Sequence, residues 1–228
     1  MSELTDKIRT RGFWLVSIVP LAYKPDRVPY AELLRILERA SVDLRGWDFP
    51  HLDPHTDVIR DASWIGQESE WNHYMESWRF HQSGHFVDLA AFWDDWRDQS
   101  SLNPPEQGWV PEVRLGVGNT IFKLTEIFEF FARFSATAAG DDEMHTSIEL
   151  AGLKNRTLYI EDHRKAPFRY DRKTSMEKFA FEQTFTNIDL IGRPRELALE
   201  VMTQLFERFD WTPGIDRLRE WQSQIDKW

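Results

Sequence analysis

"TIFKLTEIFEFFARFSATAAG", residues 120–140, decides the fold class. Ile121, Leu124, Phe128 and Phe131 recur at helical spacing, and Ile127, Phe130 and Phe134 widen that stripe over much of the helix circumference. Asn119 or Thr120 is the expected N-cap and Gly140 the stop. A helix with so broad an apolar face has to be covered on several sides, so the rest of the chain must supply layers around it.

Strands and further amphipathic helices provide that cover. "GFWLVSIVP", residues 12–20, is short, apolar and rich in β-branched residues, and reads as a buried strand ending at Pro20. "PYAELLRILERASVDLRG", residues 29–46, spaces Leu33, Leu34, Leu37 and Ala40 as a helix, with Gly46 beyond its end. Residues 45–67 read as an irregular connection. "WNHYMESWRFHQSGHFVDLAAF", residues 71–92, reads as a hairpin around "QSG" with Tyr74, Glu76, Trp78 and Phe80 on one face. Residues 90–100 read as a short helix, 109–119 as a strand, 144–162 as a hairpin, and 178–192 as a long strand or bent pair. Residues 193–211, entered through Pro194, and 214–228 read as closing helices. The expected class is α+β, with mixed or antiparallel sheets and packed helices.

"SLNPPEQG", residues 101–108, is the clearest loop and divides the chain into 1–103 and 104–228, as two α+β halves or one continuous domain. "MESWRFHQSGHFVDL" (75–89) and "MEKFAFEQTFTNIDL" (176–190) share Met, Glu, Phe, Gln, Asp and Leu at one constant offset, which raises the expectation of a duplication with pseudo-repeated halves.

Composition narrows the function classes. The 228 residues include no Cys, which excludes disulfides, thiolate metal sites and cysteine nucleophiles. No stretch is long and apolar enough for a membrane span, and the polar N-terminus has no signal core, so a cytoplasmic location is expected. A net charge of −10 argues against wrapping nucleic acid with the whole surface. Eleven Trp and sixteen Phe imply an aromatic core, an aromatic groove or a face covered by another protein or a second copy.

Three segments carry candidate chemistry. In "RGWDFPHLDPHTD", residues 45–57, His51, Asp53, His55 and Asp57 alternate, so an extended backbone would turn all four toward one metal ion. The same segment also reads as a packed turn, in which Arg45, Trp47 and Asp48 border a recognition surface. "LGVGNT", residues 115–120, places two glycines before a helix, where backbone amides hold phosphates, but it completes no P-loop or dinucleotide motif. Residues 154–178 hold eight Lys or Arg against four Asp or Glu. Arg164, Lys165, Arg169 and Arg172 there alternate with Phe168 and Tyr170, a pattern suited to a phosphate-bearing ligand or nucleic acid. His81 and His85 flank the expected hairpin turn.

"GFWLVSIVP", the helix after it and "LRGWDFPH" together resemble the start of uncharacterised bacterial proteins associated with AlbA-like, Schlafen-type modules. That resemblance implies a bacterial origin and a sensing or accessory role, and it carries over no functional residue. The residues themselves leave three readings: a non-catalytic interaction or ligand-sensing module without a cofactor, a metal-dependent hydrolase or nuclease centred on 51–57, and a phosphate or nucleic-acid binder using 154–178.

Overall fold

In a computed structural model describing residues 2–99, 105 and 107–227, the phenylalanine-rich segment is one long helix with a sheet on one side and further helices around it. In chain order the elements are α1 (Glu3–Ile8), β1 (Phe13–Pro20), α2 (Leu33–Ala40), β2 (Ile59–Arg60), β3 (Trp64–Trp71), β4 (Tyr74–His81), β5 (Phe86–Ala91), β6 (Arg114–Gly116), α3 (Val117–Ser135), β7 (Glu143–Ala151), β8 (Thr157–Tyr159), β9 (Lys178–Thr186), α4 (Asn187–Gly192), α5 (Pro194–Glu207) and α6 (Ile215–Gln222). Single 3-10 turns lie at Tyr30–Glu32, Trp93–Gln99 and Ser223–Lys227. The class is α+β, as the sequence led us to expect. Among the described residues no helix is long and apolar enough to cross a membrane.

Seven strands form an antiparallel sheet in the order β2-β3-β4-β5-β1-β7-β9, and β6 pairs in parallel with β8 in a small second sheet. β1 is an inner strand, hydrogen-bonded to β5 on one edge and β7 on the other. Both its faces are covered, which is why its sequence reads as a nearly continuous apolar run. Trp14, Val16 and Ile18 join the main core, while Phe13 packs on the opposite face with Ile8 of α1, Met75, Leu89 and Trp96. α3 lies on the main face with α2, α4, α5 and α6 around it. Phe130 sits at the centre of its packing, with ring centroids 4.7 Å from Phe86, 5.3 Å from Phe134 and 5.5 Å from Phe49.

Several expectations need correction. α3 starts at Val117 with Gly116 as its N-cap; Thr120, one of the two residues expected to cap it, lies inside the helix and donates its hydroxyl to the Gly116 carbonyl. β3 begins inside the segment read as irregular, residues 45–67, and runs on to Trp71. Its buried Gln67 and Ser69 hid the strand pattern, because Gln67 is inward-facing in order to hold the preceding loop. Residues 144–162 do not form a hairpin. After β7 the chain turns away at Gly152 (φ +70°), and β8 pairs with β6.

The two similar segments fold differently. Residues 75–89 cover most of the β4–β5 hairpin, whereas 176–190 run from β9 into α4. Thr186 makes the difference: its hydroxyl oxygen accepts the Asp189 N–H at 3.1 Å and its O–H donates to the Asp189 carboxylate at 2.8 Å, capping a helix. His85, at the matching place, carries no hydroxyl to do this, and the first copy continues as strand. The sheet also takes strands from both of the expected halves; the boundary proposed at 103/104 falls outside the described residues.

One buried ion pair ties these parts together. Arg156, wholly buried, grips Asp95 with both terminal nitrogens, one of them at 2.7 Å, and also donates to the carbonyls of Gly152 and Arg114. Asp95 in turn accepts the backbone N–H groups of Gly12 and Glu112 at 3.1 and 2.9 Å. A Cβ on Gly12 would collide with both members of the pair, so glycine is needed there. Removing one partner strands the other charge in the interior. Asp95→Ala is therefore expected to destabilise the protein by about 3–5 kcal/mol, measured by urea denaturation; a loss within about 0.5 kcal/mol would show that the pair does not carry this role.

Candidate functional site

A cleft opens at the end of the sheet where β1 and β4 begin and β5 ends. The N-terminal half of α3 and residues 45–48 form its other sides. It encloses about 800 Å³ counting the solvent at its mouth. Trp14, Ala90, Phe92 and Leu115 supply apolar surface, Trp47, Tyr74 and Trp93 an aromatic wall, and Glu76, Lys123, Glu126 and Asn119 the polar groups.

Residues 45–48 reach the cleft through a sharp turn. Gly46 has φ +76°, and its N–H donates to Asp43 at 2.8 Å. Arg45 then forms a two-pronged ion pair with Glu126 of α3, at 2.7 and 2.8 Å, and reaches Asn119 at 3.3 Å. Glu126 is 2 % exposed, so this buried acid of the apolar helix is compensated from the 45–48 turn. Trp47 stacks between His51 at 3.8 Å and Tyr74 at 4.6 Å, and Trp93 continues the near-parallel array 6.3 Å beyond Tyr74. Arg45, Trp47 and Asp48 thus all line the cleft.

The histidines and aspartates after them do not gather around one point. The chain turns at 54–56 instead of running extended, so the alternation does not place side chains on one side. His51 is held by Asp48 at 2.5 Å, its backbone N–H donates to Glu76 at 2.7 Å, and its carbonyl accepts the Trp78 indole N–H at 2.8 Å. Asp53 spends one oxygen on the His55 N–H and the other on the Thr56 hydroxyl, and His55 is exposed. Among the described residues no three His, Asp or Glu side chains are placed to share a metal ion. Turn formation outcompetes metal geometry here, because a short acidic side chain finds N–H partners two and three residues on.

The glycines of "LGVGNT" serve an anion of the chain's own. Glu161 accepts the N–H groups of Gly118 and Asn119 at the start of α3, at 2.8 and 2.9 Å, the amides that could otherwise have held a phosphate. A side chain on Gly116 would collide with that carboxylate. Burial pushes Glu161 up, against the pull of the two amides.

The basic segment is largely neutralised from within. Asp162 bonds both Arg164 and Lys165, and those contacts hold its carboxyl well below the usual range. Lys165 also donates to Gln224, and Arg172 bonds Asp210. Phe168 packs edge-on against Trp211 while Tyr170 points out, so the expected alternating platform is split between core and solvent. Arg164, Lys165, Arg169 and Arg172 do not line the cleft. His81 and His85 do meet, with rings stacked at 5.6 Å, and His85 also contacts the Ser17 hydroxyl at 3.0 Å.

Sequence reasoning passed over Lys123, and it placed Asp88 near the hairpin histidines and Glu76 as a possible partner of Glu177 or of a cross-strand base. Lys123 reaches into the cleft from α3, its ammonium 3.9 Å from Glu76 of β4 and 4.1 Å from the centre of the Phe49 ring. Asp88 of β5 sits opposite Trp78 and Val16 on the core face, wholly buried beside Glu76, whose carboxylate is the acceptor open to it when it carries its proton. Burial above all, and then the charge of Glu76, push Asp88 well above the ordinary carboxylate range, against the pull of Lys123. An acid inside the apolar run "HFVDLAAF" and a lysine within an apolar helix face were the signals available.

These features describe an α+β protein with a helix-backed antiparallel sheet and a polar, aromatic-walled cleft at one sheet end. No protein-family model, curated protein or solved structure matches the chain.

A carboxyl with a raised folded-state pKa binds its proton more tightly in the native state. Its stabilisation is present below the unfolded value near 3.9 and is lost as pH rises toward the folded value. Asp88's contribution to stability is thus expected to fall on going from about pH 4 upward, and Asp88→Asn, which keeps the shape without the charge, is expected to gain stability relative to the parent as pH rises and to be more stable than it at neutral pH. Chemical denaturation of both proteins across this range checks it; parallel profiles would refute the assignment.

Proposed function

We propose that the protein is a ligand-binding module, of a sensing or accessory kind, whose binding site is the cleft between the 45–48 turn, β4 and α3. The observation that carries this reading is the meeting there of hydrogen-bonding groups with unspent capacity. The Lys123 ammonium has no acceptor within hydrogen-bonding reach among the described residues, and Glu76 faces it across 3.9 Å. Polar groups left unsatisfied in a partly enclosed place cost stability, and a site for a polar ligand is one of the few reasons to retain them. The cleft is open to solvent on one side and lined by both apolar and polar groups, as small-molecule sites are. The Arg45–Glu126 and Asp48–His51 pairs hold its walls in place before anything binds, which lowers the ordering cost of association. A sensing role accords with the resemblance of the N-terminal segment, and nothing in it requires a cofactor.

A thermal-shift screen with a metabolite panel of sugars, nucleotides, amino acids and organic acids tests the proposal. At least one class is expected to raise the Tm of the parent protein. At a hundredfold excess over Kd the gain is about 2.7 kcal/mol, or roughly 5–10 °C for a chain of this size. Lys123→Gln is expected to remove most of that gain while keeping the ligand-free Tm close to the parent's. A panel in which no class shifts the Tm would overturn the reading.

A further inference from the structure

We infer that the cleft takes a neutral, hydroxyl-rich ligand of sugar size, with its ring along the Trp47–Tyr74–Trp93 wall and a hydroxyl between Lys123 and Glu76. This rests on the ligand-binding reading above and names the chemistry of the occupant.

Charge is the first argument. Arg45 is neutralised by Glu126, Asp48 is paired with His51, and Lys123 faces Glu76. The two remaining charged lining residues are of opposite sign: Asp94, which accepts the Tyr159 hydroxyl, and Arg114, whose guanidinium lies over the Tyr159 ring. The formal charges around the cleft nearly cancel. An ionic ligand entering it would give up its hydration without meeting an opposing field, and that is costly.

Hydrogen bonding is the second. The gap between Lys123 and Glu76 is too wide for a direct hydrogen bond at 3.9 Å, yet it is spanned by one oxygen lying about 2.8 Å from each. The bridging group must accept from the ammonium and donate to the carboxylate. A hydroxyl does both, whereas a carboxylate or phosphate would be repelled by Glu76 and an ammonium by Lys123. The other Glu76 oxygen is already spent on the His51 N–H, which fixes the direction in which the free one points.

Shape is the third. Trp47, Tyr74 and Trp93 are within 22° of parallel along the array, and His51 covers the far side of Trp47. Such a wall is rigid. The faces of Trp47 are taken up by His51 and Tyr74, so the wall there offers ring edges, which are slightly positive and suit the hydroxyl oxygens of a sugar.

Titration of the intact protein, followed by tryptophan emission, tests this with glucose, galactose, mannose, ribose, maltose and myo-inositol, against AMP and phenylalanine as charged and zwitterionic comparators. At least one of the neutral polyols is expected to bind saturably and at least about tenfold more tightly than either comparator. Glu76→Gln and Lys123→Gln are each expected to weaken that binding about tenfold or more, with the near-ultraviolet circular dichroism of the fold retained. Trp93→Ala, which touches the wall and leaves the buried pair intact, provides a second arm should either variant fail to fold, with a comparable loss expected. Binding of AMP or phenylalanine in preference to every polyol would overturn this inference and leave the ligand-binding reading standing. Silence from all the probes would overturn this inference, and the ligand-binding reading falls with it only if the wider metabolite panel also leaves the Tm unmoved.

Discussion

The buried pair of Arg156 and Asp95 is the constraint on which the arrangement depends. Its carboxylate receives the chain just before β1 through Gly12, and its guanidinium holds the carbonyls of Arg114 and Gly152. The start of the inner strand, the 3-10 turn after β5, the entry to α3 and the loop after β7 therefore share one electrostatic centre. Two charges can remain in so dry a place because each is almost fully hydrogen-bonded. The same centre fixes β6 against the sheet end, and β6 leads directly into α3. The position of the long helix over the sheet, and so the shape of the cleft beneath its first turns, follows from it.

The cleft follows a different principle from the core beside it. In the core, phenylalanines of α3 interlock with Phe49, Phe80 and Phe86, and burial of apolar surface is sufficient explanation. In the cleft, acids and bases from separate elements face one another across gaps or through exact pairs: Arg45 with Glu126, Asp48 with His51, Lys123 with Glu76. The paired groups build walls, and the spaced ones leave capacity for a ligand. Asp88, wholly buried next to Glu76, lowers stability unless it keeps its proton.

Much of the architecture was legible from pattern. The stripe of Ile121, Leu124, Phe128 and Phe131 announced a deeply buried helix, "GFWLVSIVP" a buried strand, and Pro194 a helix start. What escaped were the places where a polar residue faces inward for a reason outside its own segment. β3 was hidden by Gln67, which holds the backbone of residues 53 and 56, and the end of the supposed repeat was decided by a single hydroxyl at Thr186. Of the site, Arg45, Trp47 and Asp48 were singled out from their crowded turn, whereas Glu76, Asp88 and Lys123 looked like ordinary strand and helix residues.

The amino-acid sequence by itself determined the class of the protein and the identity of its buried faces, because apolar periodicity is a local property of the chain. It also determined the tight turn at Gly46 and the loop-forming habit of residues 53–56, which rest on side chains bonding to nearby backbone. Only the tertiary structure decided which charges meet. Arg45 and Glu126 lie 81 positions apart, Asp95 and Arg156 lie 61 apart, and Glu161 caps a helix that begins more than forty residues before it. Such pairings depend on how strands and helices stack, and no local pattern encodes that.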